Sequence, residues 1–290
     1  MVSGNAPLVT GFFDGATNTI SYVVQDPASP ACAIVDSVLD IDYAAGRIGH
    51  ASADALIAFV RERRLRLEWL IETHVHADHL SAAAYVKSVL GGRIGIGQGI
   101  TVVQDTFAAL FAEGPDFARD GRQFDHLFAD GETYAIGGLA ARALHTPGHT
   151  PACMTHVIGD AAFVGDTLFM PDGGTARADF PGGDARTLYR SIRRVLDLPP
   201  ETRLFMCHDY GPGDRAIAWE TTVAAERAGN IHVRDGIDED TFVAMRTVRD
   251  ATLDMPRLIL PSIQVNMRAG SLPAADERGR RFLKVPLNAL

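Results

Sequence analysis

The chain has 290 residues, 47% hydrophobic and 22% charged, the balance of an ordinary globular protein with material for one sizeable core or two small ones, which excludes disordered and fibrous classes. Its formal net charge of −9 argues against a nucleic-acid or anionic-membrane partner, because those select basic surfaces; an anionic ligand has to be met by local arginines or a metal. Three cysteines, Cys32, Cys153 and Cys207, are too few and too scattered for a disulfide framework or a C-x-x-C zinc site, and fit a reducing compartment.

The start, Met1 to Pro7, has neither the basic residues nor the apolar run of a signal peptide, and no stretch of about 18 apolar residues suggests a membrane span. The expectation is a soluble cytoplasmic protein. Thr19 to Val24 and Ala31 to Val35 read as strands joined by hairpin-type turns. Ser52 is a candidate N-cap for a helix carrying Leu56, Phe59 and Val60, with Arg61 to Arg64 at its end. Leu65, Leu67, Trp69 and Ile71 alternate as in a strand, with Leu70 marking an end buried on both sides. A short helix, Ser81 to Leu90, stops at Gly91-Gly92; a strand, Arg93 to Gly97, follows, then a helix, Thr101 to Glu113, with Val102, Val103, Phe107, Leu110 and Phe111 on its buried side.

Thr133 to Ile136 and Leu139 to Leu144 form a hairpin about Gly137-Gly138, and Met154 to Ile158 and Ala161 to Val164 another about Gly159-Asp160. A loop, Pro171 to Gly183, leads to a helix from Asp184 carrying Leu188, Ile192, Val195 and Leu196; Leu204 to Cys207 is a buried strand. Thr221 to Arg227 and Asp238 to Asp250 are helix-like, and a tail punctuated by Pro256, Pro261, Pro273 and Pro286 ends the chain. No solenoid repeat or low-complexity tract is present.

Chemistry concentrates where strands end. His74-Val75-His76-Ala77-Asp78-His79 places four metal-competent side chains within six residues, a pattern whose chance occurrence is on the order of 10⁻⁶ per starting position. His149, Asp166 and His208 also follow strand-like runs. Sheets packed face to face with outer helices would bring these seven groups to one edge, and neutral imidazole with carboxylate suits Zn, Fe or Mn. His50, His126, His156 and His232 read as ordinary structural residues, His145 as a loop-stabilising one, and Cys153 and Cys207 as buried small hydrophobes, Cys207 with a redox role as the alternative.

T-H-V-H-A-D-H, H-T-P-G-H-T, G-D-T-L and C-H-D-Y, in that order, resemble the metallo-β-lactamase superfamily. The resemblance implies an α/β fold, an αββα sandwich of two mixed sheets with helices on both outer faces, here as a single domain over 1–290 with a C-terminal extension from about 230. Arg177-Ala178-Asp179-Phe180, His208-Asp209-Tyr210 and Val265 to Gly270 are similar to the persulfide dioxygenases. That similarity implies oxidation of glutathione persulfide by O₂ to sulfite and glutathione at one Fe(II) per chain, held by His74, His149 and Asp166.

His76, Asp78, His79 and His208 would then orient the ligands and serve catalysis, and Arg177, Tyr210 and, more weakly, Arg268 would contact the substrate. The alternative is a dinuclear zinc hydrolase of a thioester or lactone, similar to hydroxyacylglutathione hydrolase. There the same seven residues hold two Zn²⁺, with Asp166 bridging and Asp78 positioning a hydroxide. The loop Phe169 to Ala176 departs from the family: it is longer, and Asp172-Gly173-Gly174-Thr175 replaces a Gly-Cys-Gly-like run, which bears on substrate choice. Arg177 has a competing role as ion-pair partner of Asp179 or Asp184, and Tyr210 as a plug at the core edge. Homodimers are common in the family; Leu258-Ile259-Leu260 is material for an interface or for internal packing.

Overall fold

Alternation along Thr19–Gln25 sends Ile20, Tyr22 and Val24 to one side of a strand and Val23 to the other, and all four are buried. The computed structural model describes residues 6–289; Met1 to Asn5, the head of the N-terminal stretch discussed above, and Leu290 lie outside the described residues. The strands are β1 (Leu8–Asp14), β2 (Thr19–Gln25), β3 (Ala31–Val35), β4 (Val38–Leu39), β5 (Ile41–Asp42), β6 (Arg47–Ile48), β7 (Arg66–Ile71), β8 (Leu80–Ser81), β9 (Arg93–Gly97), β10 (His126–Phe128), β11 (Thr133–Ile136), β12 (Leu139–His145), β13 (Met154–Ile158), β14 (Ala161–Phe163), β15 (Arg203–Phe205) and β16 (Glu220–Thr222). The helices are α1 (Ala51–Glu62), α2 (Ala83–Leu90), α3 (Ile100–Leu110), α4 (Ala185–Leu196), α5 (Val223–Gly229), α6 (Glu239–Asp250) and α7 (Ile259–Asn266).

Two six-stranded sheets dominate, ordered β1-β2-β3-β7-β9-β10 and β11-β12-β13-β14-β15-β16. Both are mixed: β3, β7, β9 and β10 run parallel, as do β14 and β15, and the remaining pairs are antiparallel. Between them lies a core of Ile20, Tyr22, Val24, Trp69, Ile71 and Phe128 from the first sheet against Leu139, Met154, Phe163 and Phe205 from the second. The first sheet turns Val23, Ile34 and Leu70 outward to Leu56, Val60, Val86 and Phe107 of α1 to α3. The second turns Ala162 and Leu204 to Leu188, Ile192 and Phe242 of α4 and α6. The result is the expected αββα layering. Burying each such side chain contributes about 1.5–3 kcal/mol, and a slip of one residue would exchange the two faces, so the apolar pattern fixes the register.

Several expectations need correction. The alternation read for Leu65 to Ile71 is interrupted: the β3–β7 register shifts at Cys32/Ala33, opposite Glu68, so Leu67 joins Leu70 on the helix side while Trp69 and Ile71 face the sheet core. Ser52 is not the cap of α1, which starts at Ala51; its N–H and hydroxyl both donate to Asp40, between β4 and β5, at 3.1 and 2.6 Å, so a side chain from outside the helix holds its first turn. Val102 is 50% exposed, because α3 begins at Ile100 and turns that position outward.

The tail is not merely extended. It contains α7, which tolerates Pro261 because the first turn needs no amide donor there. Leu258 and Ile259 are buried internally, Ile259 in the α1–α3 core. Among the described residues no helix is long and apolar enough to cross a membrane.

Candidate metal centre

The tips of β3, β7, β14 and β15 lead into Asp36, His74, Asp166 and His208. Backbone hydrogen bonds across the two sheets draw these tips together: Met154 N–H to Thr73 O at 2.9 Å, and Ile20 N–H to Cys207 O at 2.8 Å. Two glycines permit the close approach. At Gly165, φ is +52°, and a Cβ would lie 2.7 Å from Thr73 Oγ1; at Gly148, φ is +132°, and a Cβ would lie 2.3 Å from the Leu188 backbone. Neither position accepts another residue without displacing its neighbour.

His74, His149 and Asp166 place one ligand atom each within 4.8 Å of one another. Asp166 Oδ2 is 3.8 Å from His74 Nε2 and 3.5 Å from His149 Nε2. The surrounding bonds select the tautomers. His149 Nδ1 faces the Arg177 carbonyl at 2.8 Å and must donate to it, leaving the lone pair on Nε2. Thr73 donates its hydroxyl to Asp36 at 2.9 Å, so His74 Nδ1, 3.0 Å from Thr73 Oγ1, is again the donor.

A second cluster adjoins the first. His208 Nε2 lies 3.4 Å from both Asp78 Oδ2 and Asp166 Oδ1, while its Nδ1 faces Asn18 O at 3.2 Å. His79 Nδ1 meets Asp78 Oδ2 at 3.2 Å, and His76 Nε2 meets Asp36 Oδ1 at 3.0 Å. What remains is a set of buried atoms with no hydrogen-bond partner among the described residues: His74 Nε2, His76 Nδ1, His79 Nε2, His208 Nε2 and Asp166 Oδ1. Each such group costs about 1–3 kcal/mol when left unpaired, and their convergence suits a cation.

Burial pushes His74 and His76 well below the usual histidine range, helped by the adjacent imidazoles, and so favours the neutral, ligating form. Burial alone would lower His208 as well, but Asp78 and Asp166 outweigh it and raise it. Burial also pushes the Cys207 thiol up, with Asp36 adding to the effect, so Cys207 sits here as a neutral thiol rather than a reactive thiolate.

The centre opens into a cleft of about 400 Å³ whose lining includes His149, Asp166, Phe169, Phe180, Tyr210 and Leu253. Of the expected substrate contacts, Tyr210 is at the mouth and 59% exposed, so it does not plug the core edge. Arg177 lines the cleft but is held by Asp179 through Nε and Nη2, at 2.6 and 2.7 Å, and by the Asp254 carbonyl at 2.7 Å. Arg268 is elsewhere: it pairs with Glu113 at 2.9 Å, stacks over Phe117 and is absent from the lining, because the turn after α7 directs it toward the residues following α3.

Sequence reasoning missed Arg246, Arg249 and Arg257, brought to the cleft by α6 and the segment after it. Arg249 and Arg257 are exposed, and among the described residues no carboxylate pairs with either. His145 bonds Pro151 O at 2.9 Å, and His126, His156 and His232 bond Glu132, Tyr134 and Thr175, all outside the centre.

A probable metallo-hydrolase of Burkholderia pseudomallei is 62% identical over 292 residues, covering 97% of this chain and 99% of that protein. The human mitochondrial persulfide dioxygenase ETHE1 is 30% identical over 271 residues, 92% of this chain and 91% of its own. The crystal structure of ETHE1 from Myxococcus xanthus superposes with a TM-score of 0.72 at 27% identity, covering 91% of this chain and all (100%) of that one. The chain spans 65% of the length of a β-lactamase hydrolase-like protein of Xylella fastidiosa, to which it is 51% identical. The metallo-β-lactamase superfamily profile matches residues 14–208, and with these ligand clusters at the shared edge of two sheets, the chain belongs to that superfamily.

Proposed function

We propose that this protein is a persulfide dioxygenase that converts glutathione persulfide and O₂, with water, to sulfite and glutathione. The observation that carries the reading is the face formed by His74, His149 and Asp166, the last two of which line an open cleft. Two imidazoles and one carboxylate leave coordination positions open, the arrangement used by non-haem Fe(II) oxygenases. Similarity to a persulfide dioxygenase across 92% of the chain supports the same reading.

When bound, Fe(II) supplies the redox chemistry that lets O₂ oxidise the terminal persulfide sulfur. The chain supplies position and environment. Thr73 and the Arg177 carbonyl fix the tautomers of His74 and His149. Phe169 and Phe180 line the cleft and keep water from its walls. The exposed guanidinium groups of Arg249 and Arg257, which pair with no carboxylate among the described residues, are with the Tyr210 hydroxyl the donors available to the two glutathione carboxylates. Arg177, engaged by Asp179, acts on substrate only if that pair opens.

The test is oxygen uptake and sulfite release by Fe(II)-loaded protein given glutathione persulfide, against an anaerobic control. Sulfite in proportion to oxygen consumed is the expected result; iron-loaded protein that makes no sulfite overturns the assignment. One observation favours a second reading, a dinuclear zinc hydrolase of a thioester or lactone. His79 Nε2 and His208 Nε2 are also unpartnered, and Asp166 Oδ1 turns toward His208, a donor set able to take a second ion. Metal content separates the two.

A further inference from the structure

We propose that the buried Arg246–Asp250 pair of α6 is the positioning device for His149, acting through the one peptide group between Arg177 and Ala178. His149 Nδ1–H donates to the carbonyl of that peptide at 2.8 Å. The N–H of the same peptide, on Ala178, donates to Asp250 Oδ2 at 2.9 Å. In a planar trans peptide the C=O and N–H point in opposite directions on one rigid plate. Carboxylate and imidazole therefore grip the two sides of a single unit, and moving one moves the other.

The coupling is electronic as well as steric. A carboxylate accepting the N–H polarises the peptide and strengthens the acceptor on its far side. Metal-binding histidines commonly donate their second N–H to a carboxylate or a carbonyl, which sets ring orientation and basicity. Here the carbonyl receives the imidazole and the carboxylate stands one peptide behind it.

Arg246 holds Asp250 in place, with Nε at 2.7 Å and Nη2 at 2.6 Å from Oδ1, and its Nη1 donates to Thr175 O at 3.1 Å. The pair thus fastens the chain on both sides of Arg177, at Thr175 and at Ala178. Arg246, Asp250, Thr175 and Ala178 are 1%, 5%, 4% and 6% exposed. A buried ion pair is a weak device for stability, since apolar side chains of similar volume do as well or better. Position is what this one supplies.

The inference rests on His149 being a metal ligand, which the iron and zinc readings share, and not on the reaction catalysed. It is tested by titrating metal-free protein with Co(II) alone, following affinity and the ligand-field spectrum. Asp250→Asn should fold, bind Co(II) about 10–100-fold more weakly and show a changed spectrum. In a His149→Ala background the same substitution should change affinity by less than about twofold, because the residue it acts through is gone.

Wild-type affinity and spectrum in folded Asp250→Asn, or an equal loss in the His149→Ala background, would overturn the proposal. Should Asp250→Asn fail to fold, the pair Arg246→Gln/Asp250→Asn, which removes both charges, carries the same comparison with the same outcomes. If His149→Ala by itself leaves Co(II) binding intact, the ligand role fails first, and that result is distinct from a failure of the Arg246–Asp250 link.

Discussion

An imidazole binds a cation only with a lone pair to spare, and this protein arranges for that by engaging the opposite nitrogen of His74, His149 and His208. Thr73 is the most economical of these devices, since one hydroxyl donates to Asp36 and accepts from His74. Thr73→Val, close in shape and lacking the hydroxyl, should weaken metal binding by about 10-fold or more, read by chelator competition; unchanged affinity would mean that His74 needs no such anchor. At the mouth, Arg249→Ala/Arg257→Ala should raise KM for glutathione persulfide a few-fold, as exposed pairs worth about 0.2–1 kcal/mol each imply, with kcat and metal content unchanged. A KM equal to wild type would remove both from the substrate site.

His74, His76, Asp78, His79, His149, Asp166 and His208 were legible because they sit in short motifs at strand ends, whereas Asp36, which holds Thr73 and His76, was missed because it stands alone after β3. Arg249 and Arg257 were not legible, because only the packing of α6 against α4 carries the late segment to the cleft. Arg268, singled out through family resemblance, shows the limit of a motif without its surroundings: its neighbours Glu113 and Phe117 are far away in sequence.

Elements with a full turn or several alternations were readable. α4 begins at the Asp184 cap, and β9, β11 and β13 keep the bounds that alternation and glycine punctuation suggest. β10 and β16 have three residues each, too few to show a period, and the prolines around α7 masked a helix that tolerates one in its first turn. The shift opposite Glu68 was invisible because alternate apolar residues look the same whether or not an extra residue intervenes. The packing of α4 on the His149 loop gives its own prediction. Gly148→Ala places a methyl group against the Leu188 backbone at +132° φ, so it should cost at least the roughly 1–3 kcal/mol of backbone strain and loosen metal binding as well. Denaturant midpoints and chelator competition check both; wild-type values in each would show that the contact is not needed.

For the whole molecule, two sheets closed on a shared apolar core bring tips far apart in sequence to one edge, and outer helices and late segments wall the cleft there. Buried titratable groups also set how its stability responds to pH. Burial pushes Glu226 up to about 8, only partly offset by Asn230, whose amide donates to it at 2.6 Å. The folded state therefore keeps a proton that the unfolded chain has lost above 4.5, and stability falls by about 1.4 kcal/mol per pH unit up to about 8. Burial pushes His156 down to about 4, so its contribution is present above 6.5 and is lost as pH falls toward 4. The two slopes oppose below 6.5; above it Glu226 continues to lose stability, and His208, raised by Asp78 and Asp166, loses it in the same direction. Urea unfolding should show wild-type stability dropping by about 2 kcal/mol more than that of Glu226→Gln from pH 6.5 to 8; parallel curves would contradict the assignment.

Fold and ligand cluster were both visible in the motifs, whereas the choice between one ion and two was not, because the same seven side chains serve either. Elemental analysis of protein produced without added metal tests that choice most directly. One iron per chain is the expected result for a site built on His74, His149 and Asp166, and two zinc ions per chain would contradict it.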